Sequence, residues 1–152
     1  MKKICFAASS GGHFEQLMML KPLMDKYDSF ILTEETQYAT TKGEIEQYYL
    51  KQINRKELDF VLKFVMNTVI SLKIFLKKRP DVVISTGVLA TIPMCIIAKI
   101  FGKKLIYIES FAKINSPTLT GRLLYKFADQ FYIQWDELKK FYPNAINKGG
   151  IY

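Results

Sequence analysis

The sequence predicts an α/β domain, a Rossmann-like doubly wound parallel sheet with helices on both faces. Three observations carry that prediction. Apolar runs at residues 4–8, 29–33, 81–85 and 104–109 are short and nearly continuous, which is how strands buried on both faces read. Helical patterns separate them, so each strand returns to the sheet by a right-handed crossover. The first run ends in Ser9-Ser10-Gly11-Gly12-His13, a glycine pair between a strand and a helix.

The elements follow in order. Strand 4–8 leads into a helix marked by Phe14, Leu17, Met18 and Leu20, which ends near Tyr27 with Pro22 inside it. Residues 29–33 form the second strand and 48–53 the third. A long helix lies within 51–79, and Pro80 stops it. Strand 81–85 opens through Thr86-Gly87 into a helix over 88–101, interrupted at Pro93 and capped by Gly102. Strand 104–109, helix 117–128, strand 130–134 and a short helix over 136–141 complete the chain. At 152 residues and 49% hydrophobic content, one core and a single domain spanning 1–152 are expected.

Composition narrows the function. Cys5 and Cys95 fall in apolar stretches and have neither metal-ligand nor disulfide spacing, so no metal site is expected, nor any cofactor. Met1-Lys2-Lys3 runs straight into a strand too short for a signal peptide, so a cytoplasmic chain without a leading anchor is expected. Residues 82–98 carry no charge for 17 residues, but Ser85, Thr86, Gly87 and Pro93 divide them into strand, turn and helix rather than a membrane span. The net charge is +8, yet only three of the 22 basic residues are Arg, and no recognition helix or zinc ligand set is present. Nucleic acid is not the expected partner.

The basic excess is concentrated. Residues 51–79 hold eight basic and two acidic side chains. Within them Leu58, Val61, Leu62, Val65, Val69, Leu72 and Leu76 share one helical face, expected to pack on the sheet. Phe60, Phe64, Ile70, Ile74 and Phe75 are then surplus, interleaved with Lys63, Lys73, Lys77 and Lys78. That composition suits a helix lying on an anionic lipid surface or a partner. A broad buried face with solvated lysines is the alternative, and composition leaves both open.

In open α/β sheets ligands bind beyond the carboxyl ends of the strands. Three polar clusters occupy such ends: Ser9 to His13, Ser85-Thr86-Gly87, and Glu109-Ser110. Glycines let backbone N–H groups approach a phosphate, and a helix start adds partial positive charge. His13, the only histidine, is placed to donate to a phosphate oxygen or to take a proton from a hydroxyl. Ser10, Gly11, Gly12, Thr86, Gly87 and Ser110 are candidate phosphate or hydroxyl binders, and Glu109 is the second candidate acid or base. A plain turn with a surface histidine, and a carboxylate that braces a loop, are the structural alternatives.

Five ordered blocks carry a family resemblance: residues 9–20 (SSGGHFxQLxxL), 80–87 (PDxxISTG), 107–110 (YIES), 120–125 (TGRLxY) and 131–135 (FxxQW). Together they resemble bacterial polysaccharide-biosynthesis proteins of the PssD and CpsF type, homologous to asparagine-linked glycosylation protein fourteen. The resemblance implies the N-terminal, acceptor-side half of a MurG-like GT-B glycosyltransferase, with a separate partner supplying the C-terminal half that binds the nucleotide sugar. It makes Ser10, Gly11, Gly12 and His13 an acceptor-diphosphate loop and Glu109 the acidic residue near the acceptor hydroxyl. MurG has a further upstream glycine where Ala8 and Ser9 stand. Eukaryotic relatives usually begin with a spanning helix, so membrane contact is expected from a surface such as the basic helix.

The expected activity is transfer from a UDP-sugar to an undecaprenyl-diphosphate-linked saccharide in capsule or exopolysaccharide synthesis. It would take place in a complex on the inner face of the cell membrane, with this chain inactive or weakly active alone. A non-catalytic enhancer that stabilises a partner competent by itself is the other reading.

Overall fold

The computed structural model describes residues 1–36 and 43–152. Seven parallel strands form one sheet: β1 (Lys3–Ala8), β2 (Asp28–Glu34), β3 (Glu46–Leu50), β4 (Val82–Gly87), β5 (Lys104–Ile108), β6 (Gln130–Ile133) and β7 (Ile146–Asn147). Their spatial order is β3-β2-β1-β4-β5-β6-β7, so the chain reverses direction across the sheet between β1 and β4. The helices are α1 (Gly12–Met18), α2 (Lys21–Met24), α3 (Phe60–Lys78), α4 (Ile92–Ile100) and α5 (Leu119–Leu124). The predicted doubly wound α/β class is the observed one.

Strand alternation divides the core in two. Cys5 and Ala7 of β1 point with Phe30, Leu32, Val83, Leu105 and Tyr107 into the layer beneath α3 and α4. Ile4, Phe6 and Ala8 point the other way with Ile31, Val82 and Ile84, against Leu17 and Met24 of α1 and α2. From Ile4 to Ala8 each β1 side chain is therefore buried whichever way it points, which is why that stretch reads as an unbroken apolar run.

Proline reshapes two predicted helices. The single helix expected to reach Tyr27 is two short ones, because Pro22 lacks an N–H and its fixed φ suits a helix start; it occupies the first turn of α2. Likewise α4 begins at Ile92 with Pro93 in its first turn, preceded by a 3-10 turn over Leu89–Thr91. Helix 117–128 shortens to α5, whose start Thr118 caps by accepting from the Gly121 N–H. The two-residue β7 has no apolar run to announce it.

The largest departure is the orientation of α3. The stripe expected against the sheet faces outward: Val61 is 69% exposed, Leu62 62% and Val65 53%, with Leu58, Met66, Val69, Leu72 and Leu76 exposed as well. The buried residues are Asn67, Ser71, Ile74 and Phe75, and Phe60, Phe64 and Ile70 are half-buried. The reason is a polar anchor. Asn67 Oδ1 accepts from the Lys51 N–H and its Nδ2 donates to the Lys51 carbonyl, both at 2.8 Å, pairing the backbone just past β3. That pair holds the 67–71–74–75 side on the sheet. Both sides of α3 are apolar, so hydrophobicity alone does not choose between them.

Candidate functional site

The β1 loop and the end of β4 form one unit. Gly11 takes a φ of 78°, a conformation that favours glycine, and a side chain at Gly11 or Gly12 would meet nothing within 4 Å. The loop is therefore open on its outer side. Behind it Ser9 donates its N–H to the Gly87 carbonyl at 2.6 Å, and its hydroxyl accepts from the Val88 N–H at 2.9 Å. That hydroxyl also bonds the buried Glu34 carboxyl at the end of β2. Burial pushes the Glu34 carboxyl up from its ordinary range, and the Ser9 hydroxyl opposes the shift.

His13 is held at two points. Its Nδ1 lies 2.9 Å from the Thr86 carbonyl, and the Thr86 hydroxyl donates to the His13 carbonyl at 2.7 Å. A carbonyl only accepts, so Nδ1 carries a proton and in the neutral ring Nε2 keeps the lone pair. Gly87 lies against this ring and the Tyr107 hydroxyl. Its φ is 98°, and a Cβ there would sit 3.6 Å from His13 Nδ1 and 3.0 Å from the Tyr107 hydroxyl. Thr86 and Gly87 thus position His13.

His13 lines a cleft of about 310 Å³ together with Arg55, Leu89, Lys113, Thr118 and Leu119. Among the described residues no carboxylate lines it. Arg55 lies on the segment before α3 and Lys113 on the segment after β5, 58 residues apart in the chain (113 − 55). Sequence reasoning missed both as site residues, because nothing in their spacing separates them from the other basic side chains.

Glu109 lies behind the cleft wall, bonded to Thr118. It is fully buried, and its two oxygens take hydrogen bonds from the Ser110 N–H (3.0 Å), the Thr118 N–H (3.1 Å), the Thr118 hydroxyl (2.8 Å) and the Tyr142 hydroxyl (2.7 Å). These donors use the lone pairs an acceptor hydroxyl would need. In this arrangement Glu109 braces the β5 loop. Burial, followed by the hydrogen bond to Glu109 and its charge, pushes the Tyr142 hydroxyl up. Ser110 is buried too, its hydroxyl accepting from the Ala112 N–H at 3.2 Å, so it is a turn residue and not part of the cleft wall.

Two buried glutamines join the loops. Gln16 Oε1 accepts from the Phe111 N–H at 3.1 Å and from Gln134 Nε2 at 3.0 Å, and Gln134 Nε2 also reaches the Glu109 carbonyl at 2.9 Å. Both stand in the resemblance blocks, where the residues alone gave them no role.

Of the lysines expected at a membrane, Lys63 is paired with Glu57 and Asp59, and Lys78 with Glu46. Lys73 and Lys77 are exposed on α3. Phe60 and Phe64 pack on each other at 6.1 Å between ring centres. Among the described residues no helix is long and apolar enough to cross a membrane.

Comparison with known proteins gives this arrangement a family. The rat protein named UDP-N-acetylglucosamine transferase subunit ALG14 is 26% identical over 177 residues, spanning 97% of this chain and 82% of its own. The Yarrowia lipolytica protein of the same name is 27% identical over 176 residues, spanning 97% and 80%. Among solved structures, Acinetobacter baumannii MurG superposes with a TM-score of 0.74 at 15% identity, over 90% of this chain and 43% of that one. UDP-N-acetylglucosamine 2-epimerase from Rickettsia bellii gives 0.73 at 10% identity, over 94% and 41%. The chain spans less than half the length of these structures, and at such identities the likeness shows the fold alone, one half of a GT-B architecture. A family model described as "Oligosaccharide biosynthesis protein Alg14 like" matches residues 4–151, and the chain belongs to that family.

Proposed function

We propose that this chain is the acceptor-binding, membrane-docking subunit of a two-chain glycosyltransferase. The complex transfers a sugar from a UDP-sugar to an undecaprenyl-diphosphate-linked saccharide. The chain acts on the inner face of the cell membrane in capsule or exopolysaccharide synthesis, as in the PssD and CpsF type. The observation that carries the reading is His13. Its Nδ1 is tied to Thr86, and the ring lines a cleft that holds two cations and, among the described residues, no carboxylate. Nε2 can take the proton of an acceptor hydroxyl as the sugar bond forms, or steady a phosphate oxygen through its protonated form. The relatives' names support UDP-N-acetylglucosamine as the first donor to test. One Rossmann-like half offers one wall of a donor–acceptor cleft, so a separate C-terminal-half subunit supplies the nucleotide-sugar site.

The outward stripe of α3 supports membrane docking. Leu58, Val61, Leu62, Val65, Val69, Leu72 and Leu76 form an exposed apolar face flanked by Lys73 and Lys77, on a chain of net charge +8. An anionic lipid surface complements both features. The apolar contact thus comes from this stripe rather than from Phe60 and Phe64. Replacing Leu62 and Val65 by Asp should abolish sedimentation with phosphatidylglycerol vesicles, and replacing Lys73 and Lys77 by Gln should weaken it roughly fivefold per lysine. Unchanged sedimentation of both variants would move the docking surface elsewhere.

The deciding experiment purifies the chain with its partner and offers UDP-N-acetylglucosamine with a polyprenyl-diphosphate acceptor. Transfer by the complex, with neither donor binding nor transfer by this chain alone, is the expected result. The closure of Glu109 favours one second reading, a non-catalytic enhancer that lends no reacting group. Full turnover by the partner alone would establish it.

A further inference from the structure

The cleft beside His13 carries two cations that no sequence motif marks. Arg55 and Lys113 line it from opposite loops, and neither has a carboxylate within salt-bridge distance among the described residues. Other basic side chains of the protein also lack such a partner, but these two share one cleft. Two cations without a carboxylate partner on one concave surface repel one another and are stabilised together by an anion of more than one charge. The volume of about 310 Å³ lies at the small end of the range for small-molecule sites and exceeds what a single water-sized anion needs.

Part of the cleft wall is apolar. Leu89 and Leu119 line it, Leu119 being 59% exposed. Three residues beyond Arg55 stands Leu58, fully exposed, at the head of the outward stripe that continues through Val61, Leu62 and Val65. The chain from Arg55 to Leu58 can span no more than about 10 Å. A cleft with two cations in its wall, one of them within that distance of an exposed apolar track, fits a ligand with a charged head and a hydrocarbon tail.

We infer that Arg55 and Lys113 grip the diphosphate of a polyprenyl-linked acceptor, while Leu119, Leu58 and the first turns of α3 receive its first isoprene units. The inference rests on the acceptor-subunit reading and adds the residues that select the ligand. It also assigns the two functions of α3 to one surface, since the track that holds the tail is the track that meets the membrane.

Calorimetry with farnesyl diphosphate, inorganic diphosphate, inorganic phosphate and UDP tests it on the full chain. Farnesyl diphosphate should bind more tightly than inorganic diphosphate, and phosphate and UDP only weakly. Arg55→Gln and Lys113→Gln should each weaken farnesyl diphosphate by about tenfold to a hundredfold, the worth of a charge-assisted hydrogen bond. Leu58→Ser should weaken farnesyl diphosphate and leave inorganic diphosphate unchanged. Lys104→Gln, at the opposite edge of β5, should change nothing. Unaltered affinity in both cation variants, or UDP binding as tight as farnesyl diphosphate, would overturn the assignment. The complex separates this result from the functional reading. If wild type transfers sugar and the cation variants keep its acceptor KM, the clamp is wrong and the function stands. If the clamp binds farnesyl diphosphate yet the complex transfers nothing, the clamp stands and the function does not.

Discussion

The loops after β1 and β5 start alike. Each places a titratable side chain, His13 or Glu109, at the carboxyl edge of the same parallel sheet, where ligands of such folds bind. They end differently. The β1 loop uses one ring nitrogen of its histidine, Nδ1, on Thr86, and the ring lines a cleft. The β5 loop folds back over its carboxylate, and Ser110, Thr118 and Tyr142 close around both oxygens. A place at a strand end is therefore not enough for chemistry. What decides is whether the loop spends the side chain's lone pairs on itself.

The largest effect that tests this comparison is at His13. His13→Asn keeps a donor for the Thr86 carbonyl and removes Nε2, whereas His13→Ala removes both. Each should lower turnover of the assembled complex by roughly two to four orders of magnitude, with thermal unfolding close to wild type for the Asn variant. Wild-type turnover in His13→Asn would make the β1 loop as structural as the β5 loop.

At Glu109 the expected loss is of stability. A glutamine amide turns donors against the Thr118 and Tyr142 groups, and stranding them should cost about 2–4 kcal/mol in denaturant unfolding. Gly121→Ala is the steric counterpart: a Cβ there would overlap Glu109 Oε2 and sit 2.6 Å from the Tyr142 hydroxyl. Both variants should lose activity only as far as they lose fold. A Glu109→Gln protein with unchanged unfolding and no transfer would put the carboxylate back into the reaction.

Glu34, at the end of β2, sharpens the comparison from a third strand. Burial raises its carboxyl above the ordinary value of 4.5, so the folded protein holds a proton that the unfolded chain releases. Its contribution to stability is full below 4.5 and is lost as pH rises through the folded value. Glu34→Gln should flatten that part of the stability profile and leave the protein slightly more stable at neutral pH. A profile identical to wild type would show that the Glu34 carboxyl is not the group responsible.

By itself the sequence determined the first six strands of the sheet, their approximate ends and the glycine-bounded position of His13. These depend on neighbours in the chain: apolar runs too short for helices, prolines at helix starts, and a glycine where φ is positive. Only the tertiary structure decided which side of α3 is buried, because both sides are apolar and the choice falls to Asn67, whose partner Lys51 lies 16 residues away. It decided as well that Glu109 is closed, through Thr118 and Tyr142 at separations of 9 and 33 residues. And it brought Arg55 and Lys113 to one cleft. Local pattern specifies local geometry, but the saturation of a lone pair and the meeting of two cations depend on loops that approach only when the sheet has formed.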